Sequence, residues 1–117
     1  MSIEPIPDCK VEDHIISVSE KRSSAVIKEA AHLFNALGEI SRLRLMELLF
    51  DGPRCVSELA HETGQSMSLI SQRLKILHQA RLVEKERRGK HIYYSLHDEH
   101  IVYLLKNAFD HAQEHND

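Results

Sequence analysis

The chain has 117 residues, which is the size of one small domain that would gain from dimerisation. It has no run of 18 apolar residues, and its first residues lack the basic and apolar segments of a signal peptide. We therefore expect a cytoplasmic protein that does not cross a membrane. Two cysteines, Cys9 and Cys55, are too few for a disulfide scaffold.

The formal net charge of −3 conceals an uneven distribution along the chain. Between Ser66 and Ser95 there are seven Lys and Arg residues against two Glu, whereas residues 96–117 contain five acidic residues against one Lys. The basic middle predicts a surface that binds phosphate groups, and the acidic end predicts a surface that binds cations.

The first part of the chain predicts an arm followed by two helices. Residues 1–20 contain two prolines and show little periodicity, so we expect a flexible N-terminal arm before a single domain over residues 21–117. Apolar residues at helical spacing predict helices over Ser24–Leu37 and Ile40–Phe50, with Gly38 ending the first. We expect both helices to pack in the core.

The next segment predicts a helix-turn-helix. A short helix from Arg54 to about Thr63 and a turn at Gly64-Gln65 precede a second helix that starts at Ser66. The second helix of this motif enters the DNA major groove. We expect it to turn four apolar residues inward: Leu69, Ile70, Leu74 and Leu77. Ser and Gln side chains are suited to contact base edges, and Lys and Arg side chains are suited to contact phosphate. The candidate DNA contacts of this helix are Ser66, Ser68, Ser71, Gln72, Arg73 and Lys75.

The period of the pattern then changes from 3.6 to 2. Alternation over Arg81–Arg87 and His91–Leu96, separated by Arg88-Gly89-Lys90, predicts a β-hairpin. A basic hairpin after a helix-turn-helix is typical of a wing. The candidate phosphate contacts at its tip are Arg87, Arg88 and Lys90. We expect no acidic residue at the tip to neutralise these three cations. The predicted fold class is thus mainly α with a small β-hairpin, a winged helix-turn-helix.

The last helix, from Asp98 to about His115, carries a wide apolar stripe that favours pairing with a copy of itself in a homodimer. Along this helix, His100 and His111 point within about 20° of each other but lie about 16 Å apart. One ion therefore cannot contact both in the same chain.

If two copies of this helix lie antiparallel, four potential metal ligands come together as two identical sites. Asp98 and His100 of one chain would then face His111 and Glu114 of the other, with Asp98 acting from the N-cap. Two imidazoles and two carboxylates suit tetrahedral Zn(II), and a closed site suits sensing better than catalysis. Alternatively, His111 and His115 could chelate within one chain, and recruitment of His97 or His115 would admit Ni(II) or Co(II).

Several segments together carry a family resemblance, although each alone is weak evidence. They are residues 34–45 (FNALGEISRLRL), 55–60 (CVSELA), 89–96 (GKHIYYSL), 98–100 (DEH) and 110–114 (DHAQE). In this combination, from about Ala30 to Glu114, the chain resembles the ArsR/SmtB family of bacterial metal-responsive winged-helix repressors.

The resemblance implies two kinds of metal site. The tail is similar to the zinc-sensing SmtB-like branch, which implies that Asp98, His100, His111 and Glu114 are intersubunit ligands for Zn(II), with Ni(II), Co(II) or Cd(II) as alternatives. A second site in the family joins the N-terminal arm to the helix before the recognition helix. Here its ligands would be Cys9, His14, Cys55 and Glu58. Ser57 stands where other members have a second Cys, and a site poor in thiolates disfavours soft metals.

The resulting hypothesis is a repressor that binds double-stranded operator DNA as a metal-free homodimer and is released by Zn(II) or a similar ion. The alternative is a redox-responsive DNA-binding regulator that uses Cys9 and Cys55. We expect no small organic substrate and no enzyme activity, because the sequence has no glycine-rich phosphate loop, no H-E-x-x-H and no nucleophile elbow.

Overall fold

The computed structural model describes residues 21–116, so the predicted arm over residues 1–20 lies outside the described residues. A short 3₁₀ helix, Leu49–Asp51, follows the second α-helix. The elements in chain order are α1 (Ser24–Leu37), α2 (Ile40–Leu48), β1 (Arg54–Cys55), α3 (Val56–Thr63), α4 (Met67–Gln79), β2 (Val83–Arg88), β3 (His91–Leu96) and α5 (Glu99–Glu114). This is the predicted winged helix-turn-helix, with one more strand than the sequence indicated.

Polar side chains begin the helices, because the first backbone N–H groups of a helix have no partner within it. The hydroxyl of Ser66 accepts a hydrogen bond from the N–H of Leu69 at 3.2 Å and begins α4. A carboxylate oxygen of Asp98 accepts one from the N–H of Ile101 at 3.1 Å and begins α5. The prediction of Asp98 as an N-cap is confirmed, and Ser66, where the recognition helix was predicted to start, is the N-cap of α4. Gly64 ends α3 with a φ of 70°, a left-handed conformation that glycine adopts without strain.

The sheet has three antiparallel strands in the order β1-β3-β2. The predicted start of a helix at Arg54 is wrong, because Arg54 and Cys55 form β1 and pair with Tyr94 and Tyr93 of β3. Cys55 is extended, and α3 begins only at Val56. A strand of two residues has no periodic pattern of its own, so its partner strand decides its conformation.

The hairpin of β2 and β3 has the predicted position but different ends. Arg81 has a φ of 59°, which is incompatible with a strand, so β2 begins at Val83 rather than at Arg81. The register runs from Val83 opposite Leu96 to Arg88 opposite His91, which leaves a two-residue turn. Gly89 occupies the first position of that turn with a φ of 62°.

A single core joins the helices to the sheet. Its most deeply buried side chains are Leu45, Met46, Leu59, Ile70, Leu74, Leu77, Leu82, Val83 and Leu105. The prediction that Leu69 points inward is wrong, since it is 43% exposed. Three of the expected core residues of α1 are also more than half exposed: Val26, Ile27 and Phe34. In the single chain, this helix turns much of its apolar face outward because only part of it contacts the other elements.

Over residues 21–116, none of the helices has both the length and the apolar character needed to cross a membrane.

Candidate nucleic-acid interface and metal centre

Helix α4 presents a polar face to solvent and an apolar face to the core. Ile70, Leu74 and Leu77 are fully buried, which fixes how far the helix is rotated about its axis. The opposite face is exposed and carries Ser68, Ser71, Gln72 and Lys75, as the sequence predicted. These side chains are short or flexible hydrogen-bonding groups, which is the chemistry that reads base edges and phosphates in a major groove.

Arg73 occupies a different position from the other candidate DNA contacts on α4. Its side chain is half-buried, and its guanidinium donates a hydrogen bond to the side-chain carbonyl of Gln65 in the turn before the helix. Arg73 therefore connects the recognition helix to the turn that positions it. Ser66 caps the same helix end, where backbone N–H groups can also bind a phosphate.

The tip of the hairpin exposes three cations, Arg87, Arg88 and Lys90. The expectation that no acidic residue neutralises them is wrong for Arg88, whose guanidinium lies 3.2 Å from a carboxylate oxygen of Glu86. The same guanidinium lies 5.1 Å from the centre of the Tyr93 ring, within the range of a cation–π contact. Arg87 donates to the backbone carbonyl of Gly89 at 3.2 Å, which orders the turn.

Sequence patterns did not indicate that Glu86 and Tyr93 would contact Arg88 at the tip. They lie directly opposite each other on β2 and β3, so the signal that could have found them is the exact pairing register of the hairpin. The ion pair is exposed and so contributes little to stability. Its effect is to hold Arg88 along the strand and to leave Arg87 and Lys90 as the more available cations.

Cys55 and Glu58 of the predicted second metal site lie at the start of α3. Cys55 is 7% exposed, and its sulfur lies 3.1 Å from the hydroxyl oxygen of Ser57. The Glu58 carboxylate accepts a hydrogen bond from the backbone N–H of Cys55 at 3.2 Å. Hydrogen bonds from the side chain and the backbone of Cys55 hold the pKa of Glu58 below its ordinary value. Cys9 and His14, the other two predicted ligands, lie outside the described residues.

The structure brings Asp98 and His100 together at the start of α5. One oxygen of Asp98 caps the helix, and the other, Oδ2, lies 3.6 Å from Nδ1 of His100 and 3.9 Å from Nε2 of His97. The hydrogen bond from the backbone of Ile101, aided by the two nearby imidazoles, holds the pKa of Asp98 below its ordinary value. The carboxylate is thus kept in the charged form that a metal ion requires.

His97 was predicted only as a possible additional ligand of the metal site, and the structure shows where its side chain lies. Its Nδ1 is shielded from solvent and has no hydrogen-bond partner within the described residues, and the nearest carboxylate oxygen, on Glu84 of β2, is 3.7 Å away. His97 therefore lies between the wing and the N-terminus of α5.

His111 and Glu114 lie at the opposite end of α5, and both are exposed. His100 and His111 are eleven positions apart on the helix, which corresponds to about 16 Å along the axis. Within residues 21–116 of one chain, no three His, Cys, Asp or Glu side chains come together as a set that could hold a metal ion. The four predicted donors nevertheless suit Zn(II) chemically, because each end of α5 contributes one imidazole and one carboxylate to that set.

Fold and surface together define a class: a winged helix-turn-helix domain with a polar recognition helix and a basic wing. Comparison with known proteins agrees with this class. A profile of the family described as bacterial regulatory protein, arsR family, matches residues 41–85. The chain is 36% identical over 90 residues to the HTH-type transcriptional regulator NmtR of Mycobacterium tuberculosis, covering 77% of this chain and 75% of that protein. This chain belongs to the ArsR family of bacterial regulatory proteins.

Two further relatives support that assignment. A transcriptional repressor SmtB homolog of Synechocystis is 42% identical over 87 residues, which is 74% of this chain and 66% of that protein. Among solved structures, the homodimeric winged helix-turn-helix DNA-binding domain Mb0332 of Mycobacterium bovis superposes with a TM-score of 0.79 at 29% identity. The superposition covers 87% of this chain and 94% of the Mycobacterium bovis domain, which is described as a possible ArsR-family transcriptional regulator.

Proposed function

We propose that this protein is a metal-sensing transcriptional repressor, which binds operator DNA as a metal-free homodimer and is released by Zn(II) or a similar divalent ion. The observation that carries the proposal is the division of the donors between the two ends of α5. Asp98 and His100 are paired at one end, and His111 and Glu114 lie on the last turn at the other. Two copies of the helix running antiparallel would complete two four-ligand sites that one chain cannot form.

The exposed apolar surface supports a homodimer. Val26, Ile27 and Phe34 of α1 are more than half exposed, and so is Tyr103 on α5. Such residues are stabilised when a second copy covers them. The related Mycobacterium bovis domain is described as homodimeric, which favours the same assembly here.

The proposed DNA surface comprises α4 and the wing. A two-fold dimer would present two α4 helices to successive major grooves of a roughly palindromic operator, with the wings beside flanking phosphates. Ser68, Ser71 and Gln72 would face base edges, while Lys75, Arg87 and Lys90 would face phosphates. Ser66 and Arg73 would position the helix, and Arg88 would contact phosphate only after rearranging its pair with Glu86. A protein of this function acts in the cytoplasm, where bacterial operators lie.

The proposed mechanism couples the two surfaces through the dimer. An ion that joins α5 of one chain to α5 of the other would favour one angle between the protomers. DNA would favour the angle at which the two α4 helices match the spacing of successive major grooves. If these geometries differ, metal and DNA oppose each other by a coupling free energy, typically about 1 to 3 kcal/mol. DNA must then weaken metal binding by the same factor.

The test is operator binding by fluorescence anisotropy, with and without zinc, for the wild type and His111→Ala. The operator fragment would first be selected from random duplexes with the metal-free protein. We expect zinc to weaken binding by the wild type about fivefold to 150-fold and to have no effect on the variant. His32→Ala, an exposed histidine on α1, is the matched control. A zinc response that persists in His111→Ala would overturn the proposed site, and loss of metal-free DNA binding in that variant would show that His111 is structural.

We propose a second metal site at Cys9, His14, Cys55 and Glu58, with the support that Cys55 and Glu58 are hydrogen-bonded neighbours. Because Cys55 belongs to β1 and β1 pairs with β3, an ion bound there would act on the wing. The alternative redox function is disfavoured by the burial of the Cys55 thiol. The redox function predicts that an oxidant rather than a chelator changes operator affinity, so treating the wild type with each reagent in turn separates it from metal sensing.

A further inference from the structure

The first turn of the recognition helix exposes two large apolar side chains. Met67 is the first residue of α4 and is 54% exposed, and Leu69, two residues later, is 43% exposed. Neither belongs to the buried core, although Ile70, the next residue, is fully buried there. The exposed residues between and after them on this helix are polar, so these two side chains are a chemically distinct part of its outer surface.

Each of the two apolar residues adjoins a polar residue that is proposed to contact base edges. Leu69 and Gln72 are i,i+3 on the helix, and Met67 and Ser71 are i,i+4, so the members of each pair are neighbours on its surface. Helical side chains lean towards the N-terminus, so those of the first turn extend towards and past the end of the helix. In a helix-turn-helix, that end of the recognition helix contacts base edges. Leu69 and Met67 are therefore continuous with the DNA-binding surface.

The major groove presents one apolar substituent to such side chains, the C5-methyl group of thymine. The other groups that distinguish the base edges are hydrogen-bond donors and acceptors, and phosphates line both walls of the groove. Leu and Met side chains form no strong hydrogen bonds, so they would remove water from those polar groups without replacing it, which is unfavourable. Contact with a thymine methyl group avoids that cost and removes apolar surface from water.

We propose that Leu69 and Met67 read the C5-methyl groups of thymines, so that apolar contacts as well as hydrogen bonds specify the operator. This inference rests on the proposed operator binding and deepens it by naming a base that α4 selects. Gln side chains hydrogen-bond well to adenine, whose partner is thymine, so the neighbouring Leu69 and Gln72 together suit A·T pairs. Each operator half-site should therefore contain thymines beside the first turn of α4.

Replacement of thymine by deoxyuridine tests the proposal, because it removes the methyl group and retains the base pairing. The probe is the operator fragment selected from random duplexes with the metal-free, full-length protein, and each thymine of one half-site is replaced in turn. Fluorescence anisotropy gives the dissociation constant of each duplex. We expect the wild type to bind about fourfold more weakly when a contacted thymine is replaced, since burial of one CH₂-sized group is worth about 0.8 kcal/mol.

Alanine variants assign each contact to a residue. Leu69→Ala should abolish the effect of deoxyuridine at one position and Met67→Ala at another, whatever their overall affinity. Leu69→Met conserves the apolar volume and should retain the effect. The matched control is Ile92→Ala, because Ile92 is also 43% exposed but lies on the wing, and this variant should respond to deoxyuridine as the wild type does. Alanine is a strong helix former, so far-UV circular dichroism should show that α4 persists.

Three results would contradict the proposal. It is overturned if the wild type binds every deoxyuridine duplex as tightly as the operator, or if both alanine variants retain the full effect of deoxyuridine. If only one variant loses the effect, the assignment of the other residue is overturned. If the alanine variants raise the dimer dissociation constant in equilibrium sedimentation and leave the effect of deoxyuridine unchanged, these side chains contact the second protomer rather than DNA.

The same assay with zinc separates this proposal from the proposed function. If deoxyuridine weakens binding as expected and zinc does not, thymine recognition stands and metal sensing fails. If zinc releases the operator and deoxyuridine has no effect, metal sensing stands and thymine recognition fails. If the metal-free protein selects no preferred duplex, both proposals are overturned.

Discussion

Asp98 Oδ2 lies 3.6 Å from Nδ1 of His100, although residues two apart on a regular helix point in very different directions. The two groups meet because Asp98 is not helical: as the N-cap it has an extended backbone, with a φ of −162° and a ψ of −176°. One carboxylate thus both begins α5 and reaches the first proposed histidine ligand. The proposed metal binding by Asp98 would therefore be linked to the stability of α5.

The two roles of Asp98 can be separated by substitution. Asn caps a helix about as well as Asp, whereas Ala does not, so we expect Asp98→Asn to keep the wild-type stability and Asp98→Ala to lower the free energy of unfolding by about 1 kcal/mol. Both variants lose the carboxylate and should bind zinc more weakly. Urea denaturation and zinc titration measure the two effects. Wild-type zinc affinity in Asp98→Asn would exclude Asp98 as a ligand.

Glu39 is expected to account for part of the decrease in the free energy of unfolding at low pH. It caps α2 by accepting a hydrogen bond from the N–H of Arg42 at 2.9 Å. Backbone hydrogen bonds, first from Ser41 and then from Arg42, hold the pKa of Glu39 below its ordinary value. A carboxyl whose pKa is lower in the folded state contributes stability above its unfolded pKa of about 4.3 and loses it as the pH falls through the folded pKa.

We therefore expect Glu39→Gln, which keeps an acceptor oxygen but cannot ionise, to weaken the loss of stability below about pH 4. The measurement is the urea denaturation midpoint at a series of pH values, followed by circular dichroism. Glu47→Gln, an exposed residue of the same helix, should retain the wild-type pH dependence. Equal slopes for the wild type and both variants would show that Glu39 does not contribute.

The exposed face of α1 predicts that a single charge can weaken the dimer. Phe34 is 59% exposed in the single chain, and burying such a side chain is worth about 1.5 to 3 kcal/mol. We expect Phe34→Glu to raise the dimer dissociation constant at least about tenfold in equilibrium sedimentation. His32→Glu lies on another face of the same helix and should leave the dimer intact. If the two variants sediment alike, α1 does not contribute to the interface.

The recognition helix and the wing should respond differently to alanine substitution. Gln72 is proposed to contact base edges, so Gln72→Ala should weaken binding to the selected operator by about 1 to 3 kcal/mol and binding to unrelated DNA only slightly.

Lys90 is proposed to contact phosphate, so Lys90→Ala should weaken binding to all DNA sequences. It should also reduce by about 1 the slope of the logarithm of the binding constant against the logarithm of the salt concentration. Fluorescence anisotropy at several salt concentrations distinguishes the two. Lys28→Ala on α1 is the control, and an equal loss on both DNAs for Gln72→Ala would contradict base contact.

Local interactions explain why much of the fold was predictable. The bounds of α1, α4 and α5 follow from apolar spacing and from capping residues, whose hydrogen bonds reach only three residues along the chain. Strand β1 was missed because Cys55 pairs with Tyr93, which is distant in sequence. The pair of Glu86 and Arg88 was missed because it depends on side-chain directions within the hairpin.

The sequence by itself determined the class of the domain, the positions of its helices and wing, and the residues that are proposed to bind metal, because periodicity, capping and ligand chemistry are properties of residue type and spacing. Only the tertiary structure decided that β1 joins the wing, that α1 exposes Phe34, and that the rings of His111 and His115 lie 4.9 Å apart. These features depend on contacts between distant elements or on the directions of individual side chains, and neither is encoded in a local pattern.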